Sequence, residues 1–274
     1  MYPVWSKFPY IWRVRPPGIY GGYRMISALP PQSLPQDKPG FFNAIKYQMG
    51  HGLRYPTGRL KLSGANMFAI CAEYPDLKEF IENLNLPDTF QTWFSLTTLH
   101  IWMCLVRLRR EGQEAQILKK AFIQLIWTDL KGRMRPFGIL RKQHDHVEVF
   151  NMQFFGSVFA YDEAFLLHSD TALAAAVWRN LFLASSYTSA FHLDSAVHYI
   201  RKQLAHLDAL SSDQIVGKGM PTFLRLFEDK LDPEYANRRL HYCLTWPEWD
   251  KSVTLDVNRV VPERKVRSDK QHIS

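Results

Sequence analysis

A chain of 274 residues with 46% hydrophobic content can bury one substantial core, and a single domain of about 170–200 residues with flanking extensions is the expected partition. The net charge of +8 is carried by residues 1–72, which hold nine Lys/Arg against Asp37 alone, so the remainder is balanced. No apolar run reaches the ~18 residues that span a bilayer, and three scattered cysteines, Cys71, Cys104 and Cys243, argue against a disulfide framework or zinc knuckle and for a reducing compartment.

Residues 1–36 contain no acid and carry Arg13, Arg15 and Arg24, as an import presequence does. Seven prolines from Pro3 to Pro35 would break a long helix there, so residues 1–40 are either a targeting segment or a disordered basic arm. Phe41 to Met49 reads as a short helix closed by Gly50, and Arg59 to Tyr74 as a longer one. Pro75 opens a short helix with Leu77, Phe80, Ile81 and Leu84 at helical spacing.

Pro87 to Gly112 is the most informative stretch. It reads as one helix capped by Asp88 with Gln91 three residues on, apolar round most of its circumference and ending in Arg107, Arg109 and Arg110. Such a helix belongs at the centre of a helical protein. Glu114 to Lys131 follows, with Gly132 as its stop. From Arg107 to Lys142 runs a basic belt of ten Lys/Arg against three acids. It suits RNA, anionic lipid or acidic protein faces, or is a set of solvated helix ends.

Past the breaker Arg135–Gly138, the residues Val147, Phe150, Phe154, Val158, Tyr161 and Phe165 mark one face of a helix of about 28 residues. Ser169 or Asp170 caps the next, whose Ala174–Ala175–Ala176 run permits a close neighbour. Leu193, Val197, Ile200, Leu204 and Leu207 form a further stripe, ending near Ser211. Beyond Gly217 the pattern loosens, with one more helix expected over Pro221 to Lys230 and a charged tail after it. With almost no period-two alternation the expected class is all-α. The compact multi-helix domain would occupy 41–216, between the Pro-rich basic arm of 1–40 and a loosely structured extension of 217–274.

Catalytic chemistry finds little footing. Asp162 and Glu163 are adjacent, so on a helix they diverge by about 100° and cannot converge on one atom. Together with Tyr161 they form an exposed acidic patch or cap, or a docking patch for a basic surface. His144 and His146, and His198 and His206, have no metal-ligand spacing, and His100 inside the apolar helix fits a hydrogen-bonded core histidine. Gly217–Lys218–Gly219 is too short for a phosphate loop. No metal, cofactor or small-molecule substrate is expected, nor an enzyme. Trp102 with Arg107, Arg109 and Arg110, and Trp178 with Arg179, combine the residue types of protein-interface anchors, or are core tryptophans beside solvated arginines.

The blocks PDTFQTWF, LHIWMCLVRLRREG, the Trp127–Asp129 region, FAYDEAFL, ALAAAVWRNLF and YIRKQLAHLDAL resemble, in that order, the ubiquinol–cytochrome c chaperone family over roughly residues 41 to 216. The resemblance implies a factor for assembly of mitochondrial respiratory complex III. It implies action on newly synthesised cytochrome b with a small partner chaperone, close to the mitochondrial ribosome, on the matrix side of the inner membrane and with peripheral membrane contact. An RNA-binding translational activator of the cytochrome b message is the alternative, with a helical haem carrier or enzyme behind it.

Overall fold

The computed structural model describes residues 52–134 and 143–244. The expectations for the basic arm, the Phe41–Met49 helix, the 135–138 breaker, the end of the basic belt and the tail after 244 lie outside the described residues. Among those described there is no strand, and eight α-helices follow in order. They are α1 (Thr57–Glu73), α2 (Leu77–Leu84), α3 (Phe90–Arg107), α4 (Gln113–Met134), α5 (Gln143–Leu166), α6 (Asp170–Asn180), α7 (Ala190–Ala209) and α8 (Pro233–Leu244). A 3-10 turn at Leu108–Arg110 follows α3, and a π turn at Asp213–Gly217 follows α7. The all-α class holds.

Helix α3 is the hub, packed by α1, α5 and α7. Of its eighteen residues only Trp93, Leu105 and Val106 escape full burial, as a helix apolar round most of its circumference requires. Phe94 meets Phe150 of α5 with ring centres 4.6 Å apart, and Phe80 of α2 meets Tyr199 of α7 at 5.1 Å. The N-cap is Thr89, whose hydroxyl accepts from the Thr92 N–H, rather than Asp88. A threonine one residue closer to the apolar run reaches the orphan amide in its place. Side-chain caps also begin α2 at Asp76, one residue past the expected opener Pro75, α6 at Ser169 and α7 at Ser189, while Pro56 before α1 makes none.

Three expectations need correction. Gly132 does not stop α4, which runs on to Met134, because the buried Arg133 forms an ion pair with Asp129 four residues back and carries the last turn. Pro221 to Lys230 is not helical; its Phe223, Leu224 and Leu226 are buried in a segment without regular structure, held to α7 by Gln203. The helix lies later, at α8, whose arginines made it read as tail. Arg239 donates to the carbonyls of Glu73, Tyr74 and Pro75, closing the end of α1.

The chain past residue 216 therefore packs on the same core as the helices before it. Gly217–Lys218–Gly219 has a structural job there. Arg59 Nε and Ser63 Oγ donate to the Gly217 carbonyl at 2.8 and 3.0 Å, and a Cβ on Gly219 (φ +65°) would lie 1.9 Å from the Ser63 carbonyl oxygen. Only glycine fits that contact. Gly64 likewise lets α1 lie against α4, 2.7 Å separating a Cβ there from the Leu118 carbonyl oxygen.

Candidate functional site

The end of α3 ties into its surroundings through arginine. Arg107 is buried and donates to Glu111 Oε1 at 2.7 Å and to the Leu207 and Leu210 carbonyls at 3.0 and 2.9 Å, satisfying the C-terminus of α7. Burial alone would lift the Glu111 carboxyl. Hydrogen bonds from Ser212 and Arg107, and the charge of Arg107, outweigh that and hold it below its ordinary range. Arg54 completes the cluster by donating to Glu114 at 2.8 Å and Glu111 at 3.2 Å.

Trp102 is fully buried against Tyr161, itself buried, with ring centres 5.1 Å apart. Its indole N–H donates to Asp162 Oδ1 at 2.6 Å, and the same oxygen accepts from Arg109 at 2.5 Å. Trp102, Arg109, Tyr161 and Asp162 are thus brought together as a latch between α3 and α5. Arg110 meets Asp208 of α7 at 2.5 Å on the surface. Glu163, Trp178 and Arg179 are exposed, and the Trp178 N–H donates to the Ser185 carbonyl at 3.1 Å. Of the nine residues singled out in sequence, Trp102, Arg107 and Tyr161 face inward; Arg109, Arg110, Glu163, Trp178 and Arg179 reach solvent, with Asp162 half-buried.

No described group of three or more His, Cys, Asp or Glu is placed to hold a metal ion. His100 sits in the core, Nδ1 2.8 Å from the Leu96 carbonyl and Nε2 2.7 Å from the Tyr199 hydroxyl. Donation from Nδ1 to the carbonyl leaves Nε2 to accept from the phenol, so the ring is neutral. Burial pushes its pKa down to about 4. Burial also raises the Asp129 carboxyl to about 6 against the pull of Arg133, which additionally pairs with Glu73 and lies 4.6 Å over the Trp93 ring. Cys71 and Cys104, distant in sequence, meet with their sulfurs 3.6 Å apart, and burial raises the Cys71 thiol, which keeps it unreactive.

The surface feature that sequence reasoning missed is the outer face of α5. Met152, Phe155, Phe159 and Leu166 are 60, 56, 70 and 70% exposed, and Leu167 extends the patch. Steps of three, four and seven residues align them as one stripe. It runs opposite the buried face made by Val147, Phe150, Phe154 and Tyr161. The sequence held the signal: α5 is apolar on two faces, and only one was assigned a neighbour. Gly156 on this outer side faces open space. A second aromatic patch, Trp178, Tyr187 and Phe191, lies at the turn from α6 to α7.

Helix α4 borders the stripe. Trp127 packs edge-on against Phe154, and Phe154 against Phe155. Eight residues earlier on α4, Lys119 lies close enough to Arg109 for that charge, after burial, to lower its pKa, and Arg109 holds Asp162, eight residues later than Phe154 on α5. The two helices are therefore antiparallel. Lys120 and Lys131, both exposed, share the face of Trp127 at spacings of seven and four and bracket the level of Phe155 and Phe159.

A family model described as ubiquinol-cytochrome C chaperone matches residues 82–223, which include α3 to α7 and the whole stripe. The chain is 33% identical over 199 residues to ubiquinol-cytochrome c reductase complex assembly factor 1 of Homo sapiens, covering 70% of this chain and 65% of that protein. Against the Xenopus laevis factor of the same description, identity is 34% with 64% and 88% covered. It is 35% identical to Protein CBP3, mitochondrial, of Saccharomyces cerevisiae, over 55% of this chain and 49% of that one. The chain thus spans just under two thirds of the human relative. The crystal structure of the Cbp3 homolog from Brucella abortus superposes with a TM-score of 0.53 at 20% identity, covering 64% of this chain and 95% of that one, which establishes a shared fold.

Proposed function

This chain belongs to the ubiquinol-cytochrome C chaperone family, and on that premise we propose that it assists assembly of mitochondrial respiratory complex III without performing catalysis. It holds newly synthesised cytochrome b together with a small partner chaperone, beside the mitochondrial ribosome and against the matrix side of the inner membrane. The names of the relatives support the assembly role. No described helix is long and apolar enough to cross a membrane, so within these residues membrane contact would be lateral.

The observation that carries a protein-binding role in assembly is the exposed stripe on α5. Covering four large apolar side chains that stand aligned in water is favourable by roughly 25 cal/mol per Å² of apolar surface. The aromatic patch at the α6–α7 turn offers a second contact area of the same kind. The RNA-binding alternative draws on the basic belt, but Arg107, Arg109, Arg110 and Arg133 are already engaged by carboxylates. Their charge is thereby largely neutralised toward phosphate.

Replacing the cellular copy by Met152→Ser/Phe155→Ser/Phe159→Ser tests the assignment. These side chains are mostly in water, so the variant is expected to accumulate at parental levels with unchanged helicity. Assembled complex III on native gels should fall severalfold, and the small partner chaperone should no longer co-precipitate. Normal complex III in that strain would remove the stripe from the function.

A further inference from the structure

The α5 stripe has edges of opposite charge. On the α4 side stand Lys120 and Lys131, eleven residues and about three turns apart on the face that also carries Trp127. On the other side Glu163 is exposed, and Asp145, eighteen residues or five whole turns earlier, continues the same line two turns before Met152, where the exposed Glu148 precedes the apolar residues. Asp162 fixes which side is which. It turns toward α3 and α4 to meet Trp102 and Arg109, and Glu163 is rotated about 100° further from them. From Met152 to Leu166 the apolar line runs about 21 Å, the length of roughly fourteen residues of an incoming helix.

We propose that this surface docks one amphipathic α-helix of a soluble partner protein, its apolar face on Met152, Phe155, Phe159 and Leu166, acidic residues over α4 and basic residues over Asp145 and Glu163. The proposal rests on the reading of the stripe as a partner surface and adds the chemistry of the occupant. A membrane-spanning client segment does not fit, because it would bury both lysines and both acids against hydrocarbon with no partner charges. An anionic lipid surface does not fit either, since Asp145 and Glu163 would be pressed against headgroups of their own sign. A helix with one acidic and one basic edge meets all four charges while covering the apolar line. Gly156, with empty space where a side chain would stand, lets such a helix lie close.

The test uses the full chain and three synthetic 18-residue helices with the same leucine face: one with an acidic and a basic edge, one acidic on both edges, one basic on both. Binding is followed by fluorescence anisotropy in low salt, with vesicles of phosphatidylcholine and cardiolipin as a fourth probe. The mixed-edge helix should bind about tenfold more tightly than either uniform one, since two exposed like-charge contacts are relieved in each case. Lys120→Glu/Lys131→Glu should transfer the preference to the helix basic on both edges, and Phe155→Ser/Phe159→Ser should abolish binding of all three. Equal binding of the three helices, or binding to vesicles alone that the two serines remove, would overturn the proposal. The complex III phenotype is a separate readout. Mixed-edge preference in a chain dispensable for complex III would retain the docking chemistry and discard the assembly role, and the converse result would do the reverse.

Discussion

His100 is the residue whose protonation the core tolerates least. Its pKa falls from 6.5 to about 4 on burial, so the folded chain binds fewer protons than the unfolded chain between those values. Stability from this group is therefore complete above pH 6.5 and is lost as pH falls toward 4, in all on the order of 3 kcal/mol. Asp129 acts with the opposite sign, because its carboxyl titrates at about 6 when folded against 3.8 in its ordinary state, and it largely offsets the loss over the same range. In the parent these two groups together are expected to leave the urea midpoint nearly level from about pH 6.5 to 4. The variant His100→Gln, left with Asp129 alone, should gain stability relative to the parent as pH falls through that range, and parallel profiles would reassign the effect to another group. That His100 is structural was legible in the sequence from its apolar surroundings. Its partner Tyr199, ninety-nine residues away, was not, since no local pattern encodes which helix faces which.

At the scale of the element, α5 carries the clearest lesson. Its buried face was legible as an unbroken three-four spacing from Val147 to Phe165, and the helix forms there over 24 residues. The docking face escaped notice because exposed and buried phenylalanines look alike in sequence; only the absence of a packed neighbour separates Phe155 and Phe159 from Phe150 and Phe154. The same blindness ran the other way at Trp102 and Tyr161, interface residue types that the fold spends on a latch. Helix α8 was unreadable for a related reason, as only Ala236 and Cys243 of its residues are buried, and Arg239 supplies the anchoring that apolar spacing normally signals. Gly156 gives this scale its own prediction. A methyl there meets nothing, so Gly156→Ala should raise stability by about 0.5–1 kcal/mol through helix propensity alone. Thermal unfolding would detect this as a higher midpoint, and a lower one would mean that the site is tighter than its open surroundings indicate.

Across the whole molecule, charge works inward more than outward. Arg107, Glu111, Arg54 and Glu114 join the segment before α1, the corner between α3 and α4, and the end of α7, while Arg133, Asp129 and Glu73 join α4 to α1. Removing one member of such a cluster leaves its partners buried and unmatched. Arg107→Met should therefore cost on the order of 3 kcal/mol, seen as a lower denaturant midpoint, with two carbonyls of α7 left without their donor. A loss below about 0.5 kcal/mol would place that cluster in effective contact with solvent. Because all but three residues of α3 are buried, inherited substitutions along Phe90–Arg107 will be felt as too little protein and not as a weakened grip. A strain with such a change would be rescued by cooler growth or slower proteolysis, whereas one altered at Phe155 or Phe159 would keep a full complement of inert chains.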